Sequence, residues 1–167
     1  MMCYKLMCYK LGAILVLLAL AGCTGRAATS GDSPQTQGCL ISRESEELAA
    51  QFRDLRTIKG HFQDGDWNAD VDTWMGRKHQ LMIQLGTRLG AGDCRRAQVV
   101  QLLGPPDLTA REGDAPFDSV SRLAESEKPA TGPYELLIYH WRGTHDFLYF
   151  TAQGETILNS GWWYAGD

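Results

Sequence analysis

The sequence predicts an α+β domain: two or three helices, then a three-stranded antiparallel meander with the helices packed on one face. Three observations carry this. Between Leu48 and Leu103 apolar residues recur at three- and four-residue steps, the period of a helix buried on one side. From Tyr134 onward the chain is rich in aromatic, apolar and β-branched residues. That last third is punctuated by short glycine-containing turns at Gly143-Thr144 and Gly154-Glu155, which favours sequential strands joined as hairpins. Helices preceding strands in this order form a two-layer α+β unit.

Each element has its own signal. A first helix starts at Ser42. Leu48, Phe52 and Leu55 share one face, Glu44, Glu46 and Glu47 lie early, Arg53 and Arg56 lie late, and Gly60 ends it. Gly65 to Gly92 holds the longest helical pattern, a stripe of Val71, Trp74, Lys78, Leu81, Leu85 and Leu89 capped by Asp66, Asn68 or Asp70. Gly76 and Gly86 interrupt it and imply close approach of a neighbouring element. Asp93 is the expected N-cap of a third helix, Cys94 to Leu103, stopped by Gly104-Pro105-Pro106. Asp107 to Pro133 is polar and reads as a long loop with one helical turn near Val120 to Leu123. The expected strands are Tyr134 to Arg142, His145 to Thr151 and Thr156 to Tyr164.

Ahead of the domain the chain has a different character. Residues 2–6 and 7–11 are the same pentapeptide, MCYKL, so either copy supplies a starting methionine. Lys5 and Lys10 precede an apolar run from Leu11 to Ala21, well short of the roughly 20 residues that a membrane span needs. The run ends in Leu20-Ala21-Gly22-Cys23, which resembles the signal of a bacterial lipoprotein; the resemblance implies acylation of Cys23, cleavage before it and membrane attachment through the lipid. Thr24 after the cysteine is not the Asp of inner-membrane retention in proteobacteria, which points to the outer membrane, with the domain facing the periplasm. Thr24 to Gly38 is rich in Gly, Ser, Thr, Ala and Gln and reads as a flexible tether. The expected organisation is therefore a signal over 1–22, a tether over 23–41 and one domain over 42–167. Cys39 and Cys94 remain after Cys3, Cys8 and Cys23 are set aside, a candidate disulfide pair in an oxidising compartment.

Charge and motif narrow the functional classes. The formal charge of −4 becomes −6 without Lys5 and Lys10, which disfavours nucleic acid as a partner. Asp64, Asp66, Asn68, Asp70 and Asp72 alternate like a calcium loop, but Ala69 and Met75 stand where such a loop from Asp64 requires Gly and Glu. They read as helix caps, and no metal or other cofactor is expected. His61, His79, His140 and His145 lack zinc spacing; His140 and His145 flank the first hairpin turn, with no nucleophile motif beside them. The aromatic crowd on the sheet is more informative. Trp162 and Trp163 are adjacent, so they point to opposite faces, and Trp141, Tyr149, Trp162, Trp163 and Tyr164 are candidate partner-binding residues.

The helix end Val99-Val100-Gln101-Leu102-Leu103-Gly104-Pro105-Pro106, followed by a loop and an aromatic meander, resembles the "V-x-x-L-L-G-x-P" segment of the SmpA/OmlA family of small outer-membrane lipoproteins. That group shares an ααβββ unit with β-lactamase-inhibitor-protein-like folds. The resemblance implies a non-enzymatic envelope lipoprotein that binds a protein partner in outer-membrane assembly or maintenance. A periplasmic inhibitor that blocks an enzyme's active site is the alternative within the same fold group; a calcium-dependent module or a small hydrolase ranks behind both. This chain differs in its extra first helix, its longer 107–133 segment and its Trp162-Trp163-Tyr164 ending. Replacing Cys23 by Ser is expected to abolish labelling by radioactive palmitate and to release the protein from membranes; unchanged labelling would overturn the lipid anchor.

Overall fold

The computed structural model describes residues 39, 41–123, 129 and 131–165. The signal, Cys23 and the tether as far as Gly38 lie outside the described residues. No described helix is long and apolar enough to cross a membrane.

The architecture is α+β, helices plus a four-stranded antiparallel sheet. Helices α1 (Arg43–Arg56), α2 (Ala69–Asp72), α3 (Arg77–Leu89) and α4 (Arg96–Leu103) precede strand β1 (Leu108–Ala110), helix α5 (Ala115–Leu123) and strands β2 (Glu135–Arg142), β3 (Asp146–Gln153) and β4 (Thr156–Trp163). The strands lie in the order β1-β2-β3-β4. Ser42 caps α1 by accepting the Ser45 N–H, and α1 ends at Arg56 rather than running on to Gly60.

One sheet face meets the helices. Leu137, Tyr139 and Trp141 of β2, Leu148, Phe150 and Ala152 of β3, and Ile157 and Trp162 of β4 pack on Phe52, Met82, Leu85 and Val99. Strict alternation would not put Ile157 and Trp162 on the same face. A register shift in β4, where Thr151 pairs with Asn159 but Ala152 with Ile157, inserts one residue and reverses the alternation beyond it. Trp163 thereby turns to the other face, against Phe147, with Leu136, Ile138 and Tyr149.

Three expectations are corrected. The 107–133 segment is not one long loop: β1 pairs with β2, and α5 buries Phe117 and Val120 against Ala110, Leu136 and Ile138. The 65–92 helix is two helices. Thr73 leaves α2 in extended conformation, Met75 adopts a left-handed φ of 58°, and Gly76 restarts the chain as the N-cap of α3. The third helix begins at Arg96, not Cys94, because residues 94 and 95 join the sheet: the Cys94 carbonyl accepts the Ile157 N–H and Arg95 bridges to Thr156. The Arg95 N–H is capped by the Gln98 side chain, and the Asp93 carbonyl accepts the Cys39 N–H.

The neighbour implied by Gly86 is the sheet. A Cβ there would lie 2.8 Å from a Leu148 methyl, and one at Gly90 would lie 2.7 Å from the Ser160 backbone nitrogen, so both glycines let α3 lie directly on β3 and β4. The helix end carrying Leu102, Leu103 and Gly104 is held by cations. Arg53 donates to the Leu102 carbonyl, Arg56 donates to the Leu103 and Pro105 carbonyls, and Arg56 also pairs with Asp107 at 2.6 Å. These guanidiniums take up carbonyls that the end of a helix leaves unbonded.

Cys39 and Cys94 are joined, and Cys39 and Ile41 pack against the main core, so folded structure reaches back past Ser42. The bridge closes a sequence separation of 55 residues, for which chain-entropy reasoning gives about 4 kcal/mol. Replacing both cysteines by Ala is expected to lower unfolding free energy by about that amount in urea titration; an unchanged midpoint would show that the bridge does not stabilise the fold.

Candidate partner-docking surface

The site is built where β2 and β4 end and α3 begins. β2 has a bulge at Trp141, between the pairs His140–Phe147 and Arg142–Asp146. A bulge leaves its extra residue outside the ladder; α3 takes up the carbonyl freed there, and α2 takes up the indole N–H of the same residue. Lys78 Nζ donates to the Trp141 carbonyl at 2.6 Å, and the Trp141 indole N–H donates to the Val71 carbonyl at 2.9 Å. Lys78 is only 2% exposed. Burial draws its pKa down to about 8, Arg56 adds to the fall, and Asp107 and Asp72 oppose it.

His79, the next residue, is fully buried. Its ring stacks on Trp141 with centroids 4.0 Å apart, and Trp74 and Trp162 meet it edge-on at 4.7 and 4.9 Å. Both nitrogens are committed. The Met75 N–H donates to Nδ1 at 3.1 Å, which leaves the proton on Nε2, 3.0 Å from the Tyr164 hydroxyl. The left-handed turn at Met75 is what aims its N–H at the ring. Burial lowers the His79 pKa, Arg142 lowers it further, and Asp146 opposes both. A neutral imidazole at this point is a structural rivet.

Outside this support the aromatics are exposed. Trp74 (55% exposed) leans on Trp141 and Tyr164, and Tyr164 stacks on Trp162. On the far side of Trp141 the Arg142 guanidinium lies 4.4 Å from its ring and 5.0 Å from that of Phe62, while pairing with Asp146 at 2.6 Å. Phe62 touches His61, and His61 touches Trp67 (60% exposed). The exposed rings thus fall in two groups, Trp67 and Phe62 about His61, and Trp74 and Tyr164 about Trp141, which the Arg142 guanidinium connects by lying over both Phe62 and Trp141.

The predicted aromatics divide. Tyr164 belongs to this surface and Trp162 supports it half-buried. Trp141 and Tyr149 are buried and offer no contact to a partner, Trp141 because α3 closes over it and Tyr149 because its ring lies across Gly161. Trp163 sits on the opposite face, stacked on Phe147. Trp67, Phe62 and Met75 were not among the predicted residues. Trp74 was also missed: the helical stripe places it with Val71 and Lys78, yet the break after α2 leaves it exposed; the cluster Phe62…Trp67…Trp74-Met75 in a polar setting was the available signal.

The other candidate chemistries do not assemble. Asp72 turns inward and accepts the His61 and Asn68 N–H groups, and among the described residues no group of three His, Cys, Asp or Glu could hold a metal ion. His140 lies in the ladder opposite Phe147, whereas His145 is exposed in the turn, so the two do not converge. A cavity of about 340 Å³ beside α5, lined by Arg111, Glu112, Phe117, Tyr134 and Glu135, has its inner acid Glu135 already paired with Arg96 and Arg111. No protein-family model, curated protein or solved structure matches the chain.

A depressed His79 means that the unfolded chain binds the proton more readily than the folded one. Stability from this group is therefore complete above the ordinary histidine pKa of about 6.5 and falls as pH drops below it. In thermal melts between about pH 7.5 and 5, His79→Gln is expected to start less stable but to lose less stability on acidification than the wild type. An equally steep pH dependence in the variant would exclude His79 as a source.

Proposed function

We propose that this chain is a non-enzymatic lipoprotein of the bacterial outer membrane, held by an acylated Cys23 and facing the periplasm, which docks its aromatic end on an envelope protein. The single observation that carries the docking is the exposure of Trp74 on a hydrogen-bonded base of His79 and Trp141, with a second exposed indole, Trp67, in the preceding stretch. Exposed aromatics grouped at one place are the residue type that dominates binding energy at protein interfaces, most of all when their supports are fixed before binding. The opposed interpretation is that these indoles are incidental surface. Scattered apolar residues need no function, but two groups of contacting rings joined by one guanidinium, with an exposed tryptophan in each, are not scatter.

The lipoprotein part rests on Leu20-Ala21-Gly22-Cys23 and its flanking pattern. The assembly or maintenance role rests on the likeness of Val99 to Pro106 to the SmpA/OmlA helix end, and on helices laid against the β2-β3-β4 meander as that family's unit has them. That helix end also has a purely structural task here, since its carbonyls bind Arg53 and Arg56.

Affinity capture from detergent-solubilised envelopes with tagged full-length protein tests the docking. The wild type is expected to retain a stoichiometric partner that Trp74→Ala and Trp67→Ala each reduce by about tenfold or more. Trp67 touches only His61 among the described rings, so its loss leaves the fold intact. Equal recovery by wild type and both variants would remove the docking surface.

A further inference from the structure

We propose that docking is gated by protons: His79 holds the turn that displays Trp74 only while its ring is neutral, and a proton taken up at Nδ1 releases that turn and with it the partner. The proposal deepens the docking function above and rests on it. The geometry puts one titratable ring beneath Trp74. His79 is fully buried and stacked on Trp141 at 4.0 Å. Its Nδ1 accepts the Met75 N–H, and its Nε2 is bonded to the Tyr164 hydroxyl. Trp74 rests on that ring and on both of its ring partners, with centroids 4.7 Å from His79, 5.6 Å from Trp141 and 5.1 Å from Tyr164.

An imidazolium has a donor at each nitrogen and no acceptor. Its Nδ1–H would face the Met75 N–H across 3.1 Å, and no rotation of the ring offers Met75 an acceptor. Nε2 keeps its bond to Tyr164, so the contact that fails is the one to the left-handed turn before α3. The other bonds of that turn, Gly76 N–H to the Thr73 carbonyl and Gln80 Nε2 to the Met75 carbonyl, do not titrate. The charges around the ring do not compensate. On β2 the Arg142 guanidinium already lies over Trp141, and on α3 Lys78 adds a buried cation. Asp146 of β3, the acid that faces the ring, spends one oxygen on Arg142 and the other on the Ala165 N–H. Burial lowers the His79 pKa, Arg142 lowers it further and Asp146 opposes both, so the ring is neutral at about pH 7 and charges in acid. Trp74 then loses a fixed support, and binding loses the advantage of a surface held ready before contact.

Two measurements test the gate. The first needs no partner and no variant. An N–H···N bond transmits a coupling between its two nitrogens, so NMR of isotope-labelled full-length protein in detergent micelles reads the Met75–His79 contact directly. The coupling is expected at about pH 7.5 and is expected to vanish as the ring takes up its proton toward about pH 5, with the Trp74 indole resonance moving in step. A coupling that outlasts protonation, an unmoved Trp74 resonance or a ring still neutral at about pH 5 would overturn the gate. The second is envelope capture. The wild type is expected to retain about tenfold less partner at about pH 5 than at about pH 7.5, with its far-UV circular dichroism unchanged. His79→Gln is expected to bind less than the wild type at the higher pH but equally at both, since its amide does not titrate. Equal retention by the wild type at both pH values leaves docking standing and sinks the gate. The same acid loss in His79→Gln would assign the sensitivity to the partner, and a parallel loss of circular dichroism would assign it to unfolding; either overturns the gate. A partner retained by both Trp67→Ala and Trp74→Ala removes docking and the gate together.

Discussion

The bulge at Trp141 is the constraint on which the rest of this end of the molecule depends. An eight-residue strand in perfect register would have spent the Trp141 carbonyl in the ladder. Released from pairing, it draws in a buried ammonium from Lys78, while the indole N–H reaches Val71 at the close of α2. Those two bonds fasten both helices of the 69–89 stretch to β2. They also fix the break between the helices: only with the chain turned out at Thr73 and left-handed at Met75 does the Met75 N–H reach His79. The exposed indole of Trp74 is a product of that break.

Much of the fold was legible because its signals are local. The Ser42 cap, the stop at Gly104-Pro105-Pro106 and the glycine turns at 143 and 154 each follow from one residue's backbone preference, and they appear within a residue or two of expectation. What was not legible depends on partners distant in sequence. β1 has three residues, too few to show alternation, and exists because Ala110 and Leu108 find Leu136 and Ile138. The stripe from Val71 to Leu89 looked continuous because its three- and four-residue steps run through Thr73 in sequence, although the break there turns Trp74 out to solvent. Of the candidate residues, the place of Tyr164 and Trp162 at the close of the last strand was readable, whereas the burial of Trp141 and Tyr149 was not. Aromatic residues carry no mark of whether a helix or a glycine such as Gly161 lies over them.

The two faces of the sheet have different characters for a related reason. One is closed by α1, α3 and α4, whose long apolar residues interlock with those of the strands. The other is met by α5, which brings Phe117 and Val120 against the β1-β2 side. The inserted residue in β4 decides which tryptophan goes where, and so joins Trp162 to the His79 cluster instead of the α5 face. A small change in register between Ile157 and Asn159 therefore governs which tryptophan joins the aromatic surface at the far end of β4.

The disulfide gives this arrangement a mechanical meaning. Cys94 lies beside Ile157, at the beginning of β4, and Trp162 and Tyr164 lie at its end, some five to seven residues on, roughly 20 Å along the strand. Tension arriving through the chain before Cys39 passes across the bridge into Cys94 and from there to β4. The 55-residue separation that includes α1, α2 and α3 is bypassed. A pull opposed by a partner at the aromatic end then acts along the axis of β4, loading its row of hydrogen bonds to β3 in shear, where they share the load, and not in sequence as in peeling. With the anchor and partner as proposed, the bridge would route such a load past α1, α2 and α3.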